Sequence, residues 1–359
     1  MADHGLNNIS NISTNSPVSY LFTESYIILL SLLAVLIFLI NLMVIFLFVT
    51  RDCLRTKTNM ILVGLALSDL LNGIVVIPLH IMVNIYMTKQ SLRLASMVLY
   101  RFVAVSTMLH ILAVTLERHI CILSPLRYHS LVTKSRIIKI LVFIWLLSIC
   151  NSVISLSWIG LADEYNHLKQ PPGLHNSKLL RCEFTYTLFT FVFFFVIPLV
   201  IMAYSFRKII CEISRHNRRD SELMLESTNR SSTDSASGED SRSRHAYILD
   251  RKPVLIFLAM LLVFSITWSS WYAQAMVLST SPTHYKPVGG IWPGFARSTT
   301  SVINPLLYAL IKKDFRQALK GWLNYIRDLV TSSKTSTMEQ DLNAKFTIET
   351  WKLLALMRM

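Results

Sequence analysis

Residues 26–49 read YIILLSLLAVLIFLINLMVIFLFV, a run without one Asp, Glu, Lys or Arg. At 1.5 Å of rise per residue such a helix is about 36 Å long, enough to cross a hydrocarbon layer roughly 30 Å thick. It is apolar on every side, so no face of it suits water. Working outward, stretches of similar length and character follow at 60–83, 96–116, 138–159, 185–209, 254–278 and 288–310. The last is the weakest, because Arg297 and the Ser/Thr run beginning at Ser298 interrupt it. The 359 residues are 53% hydrophobic and 16% charged, against about 25% charged in a soluble domain. The expected fold is therefore an all-α membrane protein, a seven-transmembrane helix bundle.

A formal net charge of +14 invites a nucleic-acid reading, and the placement of the charge answers it. The segment before the first run holds no Lys or Arg. The next loop carries Arg51, Arg55 and Lys57, the loop after the third run Arg127, Lys134 and Arg136, and the tail opens with Lys312, Lys313 and Arg316. The loop after the fifth run adds Arg215, Arg218, Arg219, Arg242, Arg244, Arg251 and Lys252. All of these share one side if the amino terminus is outside, and basic loops stay in the cytoplasm. The opposite loops hold fewer: Lys89, Arg93, Lys169, Lys178, Arg181 and Lys286. The excess positive charge reports topology and implies no nucleic-acid partner. Residues 1–23 lack the apolar core of a signal peptide, so the first run is expected to act as its own insertion signal.

The expected organisation is an extracellular segment at 1–25, the bundle at 26–310, a short amphipathic helix at 311–323 and a cytoplasmic tail at 324–359. Within the bundle, residues 216–250 are polar and Ser/Arg/Asp-rich, a composition that buries no core and predicts a disordered cytoplasmic loop. Asn8 and Asn11 head sequons in the outer segment and are candidate glycosylation sites. Cys182 is the one cysteine this topology places outside. In KKDFRQALKGW, Phe315, Leu319 and Trp322 fall at i, i+4 and i+7 with Lys and Arg opposite, the pattern of a helix lying on the inner membrane surface. The tail then carries Thr331, Ser332, Ser333, Thr335, Ser336 and Thr337, candidate kinase targets or simply a solvated end.

A charge at bilayer depth costs about 2.5–3.5 kcal/mol on insertion scales, so Asp69, in the middle of VGLALSDLLNGIVV, needs a reason. Asn41, Thr107, Thr300, Ser301 and Asn304 lie at depths that could complete one polar cluster. A carboxylate with hydroxyl and amide oxygens suits a cation or water; the alternative is a packing network without an ion. Pro198 and Pro305 interrupt the fifth and seventh runs and favour kinks. Glu117-Arg118 closes the third run at its inner end, with Asp250 a candidate partner for Arg118.

From residue 26 to 322 this combination resembles the rhodopsin-like (class A) G-protein-coupled receptors. The residues that carry the resemblance are Asn41, LALSD ending at Asp69, ERH at 117–119 followed by SPLRY at 124–128, Trp145, Pro198, Phe264 with Trp268, and NPLLY at 304–308 followed by KKDF. The resemblance implies a receptor passing an extracellular ligand's signal to a heterotrimeric G protein, with receptor kinases, arrestin and membrane lipid as further partners. It implies a sodium and water cluster at Asp69, Thr107, Ser301 and Asn304. It further implies that Arg118 pairs with Glu117 at rest, that Asp250 bridges to Arg118, and that Phe264 and Trp268 form a switch beneath the ligand. Asn304, Pro305 and Tyr308 would move with activation, while Pro125 and Leu126 would dock the G protein. Four positions depart from the family pattern. Arg93 stands for the cysteine that would pair with Cys182, Ser270 for the proline of the sixth helix, Phe206 for a tyrosine of the fifth, with Tyr204 nearby, and His119 for the tyrosine that more often follows the arginine.

The pocket expected at the outer end would be lined by Tyr100, Arg101, Ala104, Trp268, Arg297 and Ser298. Tyr100 stands where amine receptors carry an aspartate. Ser298 stands where opsins carry the retinal-linking lysine, in an otherwise opsin-like seventh helix, so no Schiff base forms there. Arg101 and Arg297 suit an anionic ligand; otherwise each pairs with an acid such as Glu183 or Glu24, or snorkels outward. Three rival readings remain in view: a receptor-shaped protein with constitutive or altered signalling, a transporter, and an intramembrane enzyme using Asp69 with His80 or His110. A transporter would show internal repeats or paired broken helices, and an enzyme a nucleophile or metal cluster; the sequence displays neither.

Overall fold

The structure, a computed structural model, describes residues 17–86, 90–157, 172–230, 252–280 and 287–332. Among them the regular elements are all helical. We number them α1 (Pro17–Thr50), α2 (Lys57–Leu71), α3 (Ile77–Tyr86), α4 (Gln90–Leu123), α5 (Pro125–Leu131), α6 (Lys134–Ile154), α7 (Pro172–Phe191), α8 (Ile197–Arg230), α9 (Lys252–Thr280), α10 (Pro287–Ile311) and α11 (Lys313–Ser332). Helices α2 and α3 are joined through a π-helical turn at Asn72–Val76, and α7 and α8 through another at Val192–Val196, so each pair forms one rod. Among the described residues the result is seven rods, the short α5 and the α11 that follows the last rod.

Both wide turns have the same local cause. Each is followed at once by Ile-Pro, Ile77-Pro78 in one rod and Ile197-Pro198 in the other. Proline lacks an amide hydrogen and its ring collides with the carbonyl four residues back, and a π turn moves that carbonyl away. Pro305, by contrast, sits inside α10 with no such turn. Ser270 lies in an unbroken α9, where its Oγ donates to the Thr267 carbonyl at 2.7 Å.

The rods close a ring around α4, which touches α2, α6 and α8, while α1 packs on α2 and α10, and α9 on α7 and α10. Within the described residues, Glu24–Thr50, Lys57–Val83, Leu94–Leu123, Lys134–Ile154 and Arg181–His216 are long and apolar enough to span a membrane. Burial is inverted relative to a protein in water. Large apolar side chains point outward, Leu32 and Phe143 each 63% exposed and Ile266 72%, whereas Asn41, Asp69, Asn72, Ser301 and Asn304 are buried inside. An apolar coat, with those polar groups held among an otherwise largely apolar core, is stable where the surrounding solvent is hydrocarbon.

Two sequence expectations need correction. The loop expected at 216–250 is helical to Arg230, the extension carrying an Arg218–Glu222 pair one turn apart at 3.1 Å; residues 231–250 lie outside the described part. The amphipathic helix expected at 311–323 runs from Lys313 to Ser332. Phe315 is fully buried there, and Trp322 meets Phe46 of α1 edge-on with ring centroids 6.1 Å apart. In both cases backbone hydrogen bonding carries the helix beyond the stretch that its side-chain pattern marks.

Candidate functional site

Three groups of interior side chains lie along the bundle. The innermost is built where α4 ends. Arg118 Nε donates to Glu117 at 2.7 Å and Arg118 Nη2 to the same carboxylate at 3.0 Å. Thr58 Oγ1 on α2 and the Tyr128 hydroxyl on α5 also donate to Glu117, at 2.9 and 2.6 Å, and Arg118 reaches Thr58 as well. One buried carboxylate thus ties three elements together. Burial first, and then the bond to Glu117, push the Tyr128 phenol above its ordinary value, so it stays a donor. Leu126, at the start of α5, is 97% exposed beside this cluster, with Pro125 also exposed. Asp250 and the Tyr308 side chain lie outside the described residues.

The middle group surrounds Asp69. Ser301 Oγ donates to Asp69 Oδ1 at 2.8 Å and Asn304 Nδ2 to Oδ2 at 3.4 Å. Asn72, which the sequence reading missed, donates from Nδ2 to Ser301 Oγ at 3.0 Å, and Asn41 donates to the Ser301 carbonyl at 3.0 Å. Asn72 lies one helical turn beyond Asp69, which is the signal that could have found it. Thr107 is buried, but the carboxylate's described partners are Ser301 and Asn304. Thr300 does not join the cluster: its Oγ1 turns back to the Arg297 carbonyl at 2.6 Å. Pro305 is buried beside Asn304 on α10. His110 is not with Asp69 either. It bonds the Ser106 carbonyl through Nδ1 at 2.7 Å, beside a Ser68–Ser106 hydroxyl pair 2.5 Å apart.

The outer group encloses a cavity of about 330 Å³ between α4, α7, α9 and α10, lined by Tyr100, Arg101, Ala104, Glu183, Trp271 and Tyr272 among others. Of the alternatives open for Arg101, the structure has the ion pair to Glu183. Its guanidinium also lies over the Tyr186 ring, 4.5 Å from the centroid. Arg297 is 2% exposed and pairs with no carboxylate among the described residues. It stacks on the Tyr100 ring, stands 5.1 Å from the Trp268 ring centroid and donates to the Tyr100 carbonyl at 3.3 Å. Ser298 is buried with its hydroxyl on the Gly294 carbonyl at 3.0 Å. Beneath the cavity, Trp268 stacks on Phe264 with centroids 5.1 Å apart. Phe264 in turn meets Phe195, a residue of the second π turn. His80 approaches the Tyr26 hydroxyl at 3.5 Å, away from the partners of Asp69.

The departures also acquire positions. Phe206 is buried, whereas Tyr204 is 54% exposed and carries Lys208 over its ring, so Tyr204 does not supply the hydroxyl that Phe206 lacks. Cys182 is free and exposed. The Arg93 side chain lies outside the described residues.

Comparison with known proteins places the arrangement. A family model described as 7 transmembrane receptor (rhodopsin family) matches residues 40–308. A relative named "Rhodopsin, GQ-coupled" from Mizuhopecten yessoensis is 26% identical over 288 residues, covering 78% of this chain and 55% of its own length. The Histamine H2 receptor of Rattus norvegicus is 26% identical over 284 residues, 74% of this chain and 70% of the relative. Neuromedin-U receptor 1 of Homo sapiens is 24% identical over 288 residues, 75% and 66%. The chain thus spans between about half and seven-tenths of the length of these relatives. With the matched region reaching from the first rod to the last, the chain belongs to the rhodopsin family of seven-transmembrane, G-protein-coupled receptors.

Proposed function

We propose that this chain resides in the plasma membrane with its amino terminus outside and passes an extracellular ligand's signal to a heterotrimeric G protein. The observation that carries the reading is the column of interior polar groups. It leads from the Arg101–Glu183 cavity, past Asp69, to the Glu117–Arg118 cluster beside exposed Leu126. A ligand shifts such a bundle only by binding its two packings with different affinities. Opening at the inner end would free Arg118 from Glu117 and Thr58 for the partner. In proteoliposomes with G protein, Arg118→Ala is expected to cut guanine-nucleotide exchange at least tenfold; exchange equal to wild type would remove Arg118 from coupling.

The relatives' names suggest ligands that this pocket does not suit. Tyr100 and Ser298 replace the aspartate and the lysine on which an amine or retinal would be held. Around Asp69, the carboxylate, the Ser301 hydroxyl and the buried, unpartnered Asn72 Oδ1 form an all-oxygen donor set. Such a set fits a small hard cation, and sodium is the ion proposed there. Helix α11 would lie on the inner lipid surface, and the hydroxyl-rich tail would serve receptor kinases and arrestin. A second reading, altered basal signalling, has one specific support: the buried Phe206 puts a ring without a hydroxyl near the end of the fifth apolar run. It predicts ligand-independent exchange that falls in Arg118→Ala, and a silent wild-type receptor would exclude it.

A further inference from the structure

The outer half of the bundle holds an unmet demand for hydrogen-bond acceptors. Among its buried side-chain atoms, Arg101 Nη1, Arg297 Nε, Arg297 Nη2 and Trp268 Nε1 have no partner, and every one of them is a donor. The unpartnered acceptors lie deeper in the bundle: Asn41 Oδ1 and Asn72 Oδ1 belong to residues of the Asp69 group, and His110 Nε2 is an acceptor because Nδ1 donates to the Ser106 carbonyl. A buried polar group left unpaired carries a desolvation cost that no bond offsets, larger if the group is charged. The site therefore stores a cost that an acceptor of the right shape would relieve.

Charge points the same way. Among the described residues two buried guanidinium groups, Arg101 and Arg297, stand against one carboxylate, Glu183, and Arg101 already holds it. Among the described residues Arg297 meets the Tyr100 and Trp268 rings and the Tyr100 carbonyl, with no carboxylate beside it. Gly294, three residues before Arg297 and thus about one turn outward on α10, lines the cavity, as does the Tyr100 ring on which Arg297 stacks. Arg297 therefore lies behind the cavity's inner wall, within reach once the Tyr100 ring shifts.

We propose that the ligand of this receptor is a small organic carboxylate whose anionic group enters between Tyr100 and Trp268 to take the free donors of Arg297, its apolar body resting among Trp271, Tyr272 and Tyr186. The inference rests on the receptor reading and adds the ligand's chemistry. A carboxylate accepts two parallel N–H bonds from a guanidinium edge. One negative charge balances the surplus of one arginine, whereas a phosphate monoester dianion would overshoot it. The cavity of about 330 Å³ is at the lower end of ligand pockets and suits a single aromatic or short aliphatic acid.

The test uses the full-length receptor purified in lipid nanodiscs, with thermal unfolding as readout and 3-phenylpropionate, 3-phenylpropionamide and phenyl phosphate as probes. The acid is expected to raise the unfolding midpoint at millimolar concentration, while the amide and the phosphate leave it unchanged. Arg297→Met removes the unpaired buried cation, so it is expected to raise the ligand-free midpoint and to abolish the response to the acid. Arg297→Gln provides a polar second variant that also loses the response. Stabilisation by the amide equal to that by the acid, preference for the phosphate, no shift with the acid, or a ligand-free midpoint that falls in Arg297→Met would each overturn the proposal. Binding is read without a G protein, so its failure leaves the receptor reading standing. An acid that binds yet never alters nucleotide exchange would instead count against that reading.

Discussion

Gly64 shows how one position is dictated by a neighbour across the bundle. A Cβ there would sit 2.7 Å from His110 Nε2 and 2.9 Å from Leu141 Cδ2. The imidazole has little room to retreat: Nδ1 is bound to the Ser106 carbonyl, and the ring meets Trp145 edge-on at 6.5 Å. Gly64→Ala is therefore expected to cost about 1–3 kcal/mol as overpacking. His110→Ala in the same molecule should restore most of it, a coupling that a double-mutant cycle in thermal unfolding measures. Asp69 offers a second residue-scale expectation. If its oxygen set holds sodium, exchanging choline chloride for sodium chloride raises the unfolding midpoint of wild type and not of Asp69→Asn. Equal shifts in both would locate the salt effect elsewhere. That Asp69, Ser301 and Asn304 belong together was legible in the sequence, because polar groups at one depth in lipid seek one another. That Thr300 turns away and Asn72 turns in was not, because helix rotation and side-chain rotamer are set by packing.

At the scale of elements, the junction between α10 and α11 carries its own test. The Lys312 ammonium donates to Asn59 on the opposite side of the inner face, with Asp314 at 3.7 Å and the Phe315 ring 5.8 Å away. Burial first, and then the nearby Arg118 charge, lower its pKa from 10.5 to about 8, although Asp314 and Glu117 pull the other way. The folded state therefore releases this proton earlier than the unfolded one. Below about pH 8 both states are protonated and the buried charge exerts its full cost. Between about 8 and 10.5 the unfolded state binds more protons, so stability rises with pH and then levels. The unfolding midpoint should thus climb from pH 8 to pH 10 in wild type and stay flatter in Lys312→Gln; parallel profiles would refute the assignment. The rods themselves were legible from apolar length, and the proline of the fifth run flagged a distortion at Pro198. The matching turn before Pro78 was equally present in the letters, an Ile-Pro pair in an apolar run, but went unread. The helical stretch at 216–230 had no hydropathy signal, since it leaves the lipid.

For the molecule as a whole, the expected topology is seven crossings with residues 1–25 outside and α11 inside. Protease protection of tags at the amino terminus and within 231–250 in sealed cells checks it: the first should be cleaved, the second protected. The reverse pattern would invert every assignment of outer cavity and inner cluster. The apolar rods were set by the sequence alone, because a bilayer demands apolar runs about 20 residues long and internally satisfied backbones, and the basic loops supply the expected direction that the protease test checks. Only the tertiary structure decided that Arg101 meets Glu183 whereas Arg297 meets aromatic rings, and that Glu117, already paired with its chain neighbour Arg118, also gathers Thr58 and Tyr128. Glu183, Thr58 and Tyr128 come from elements other than α4, and which faces the helices turn to one another is settled by how they pack at once, a property no single stretch of the chain contains.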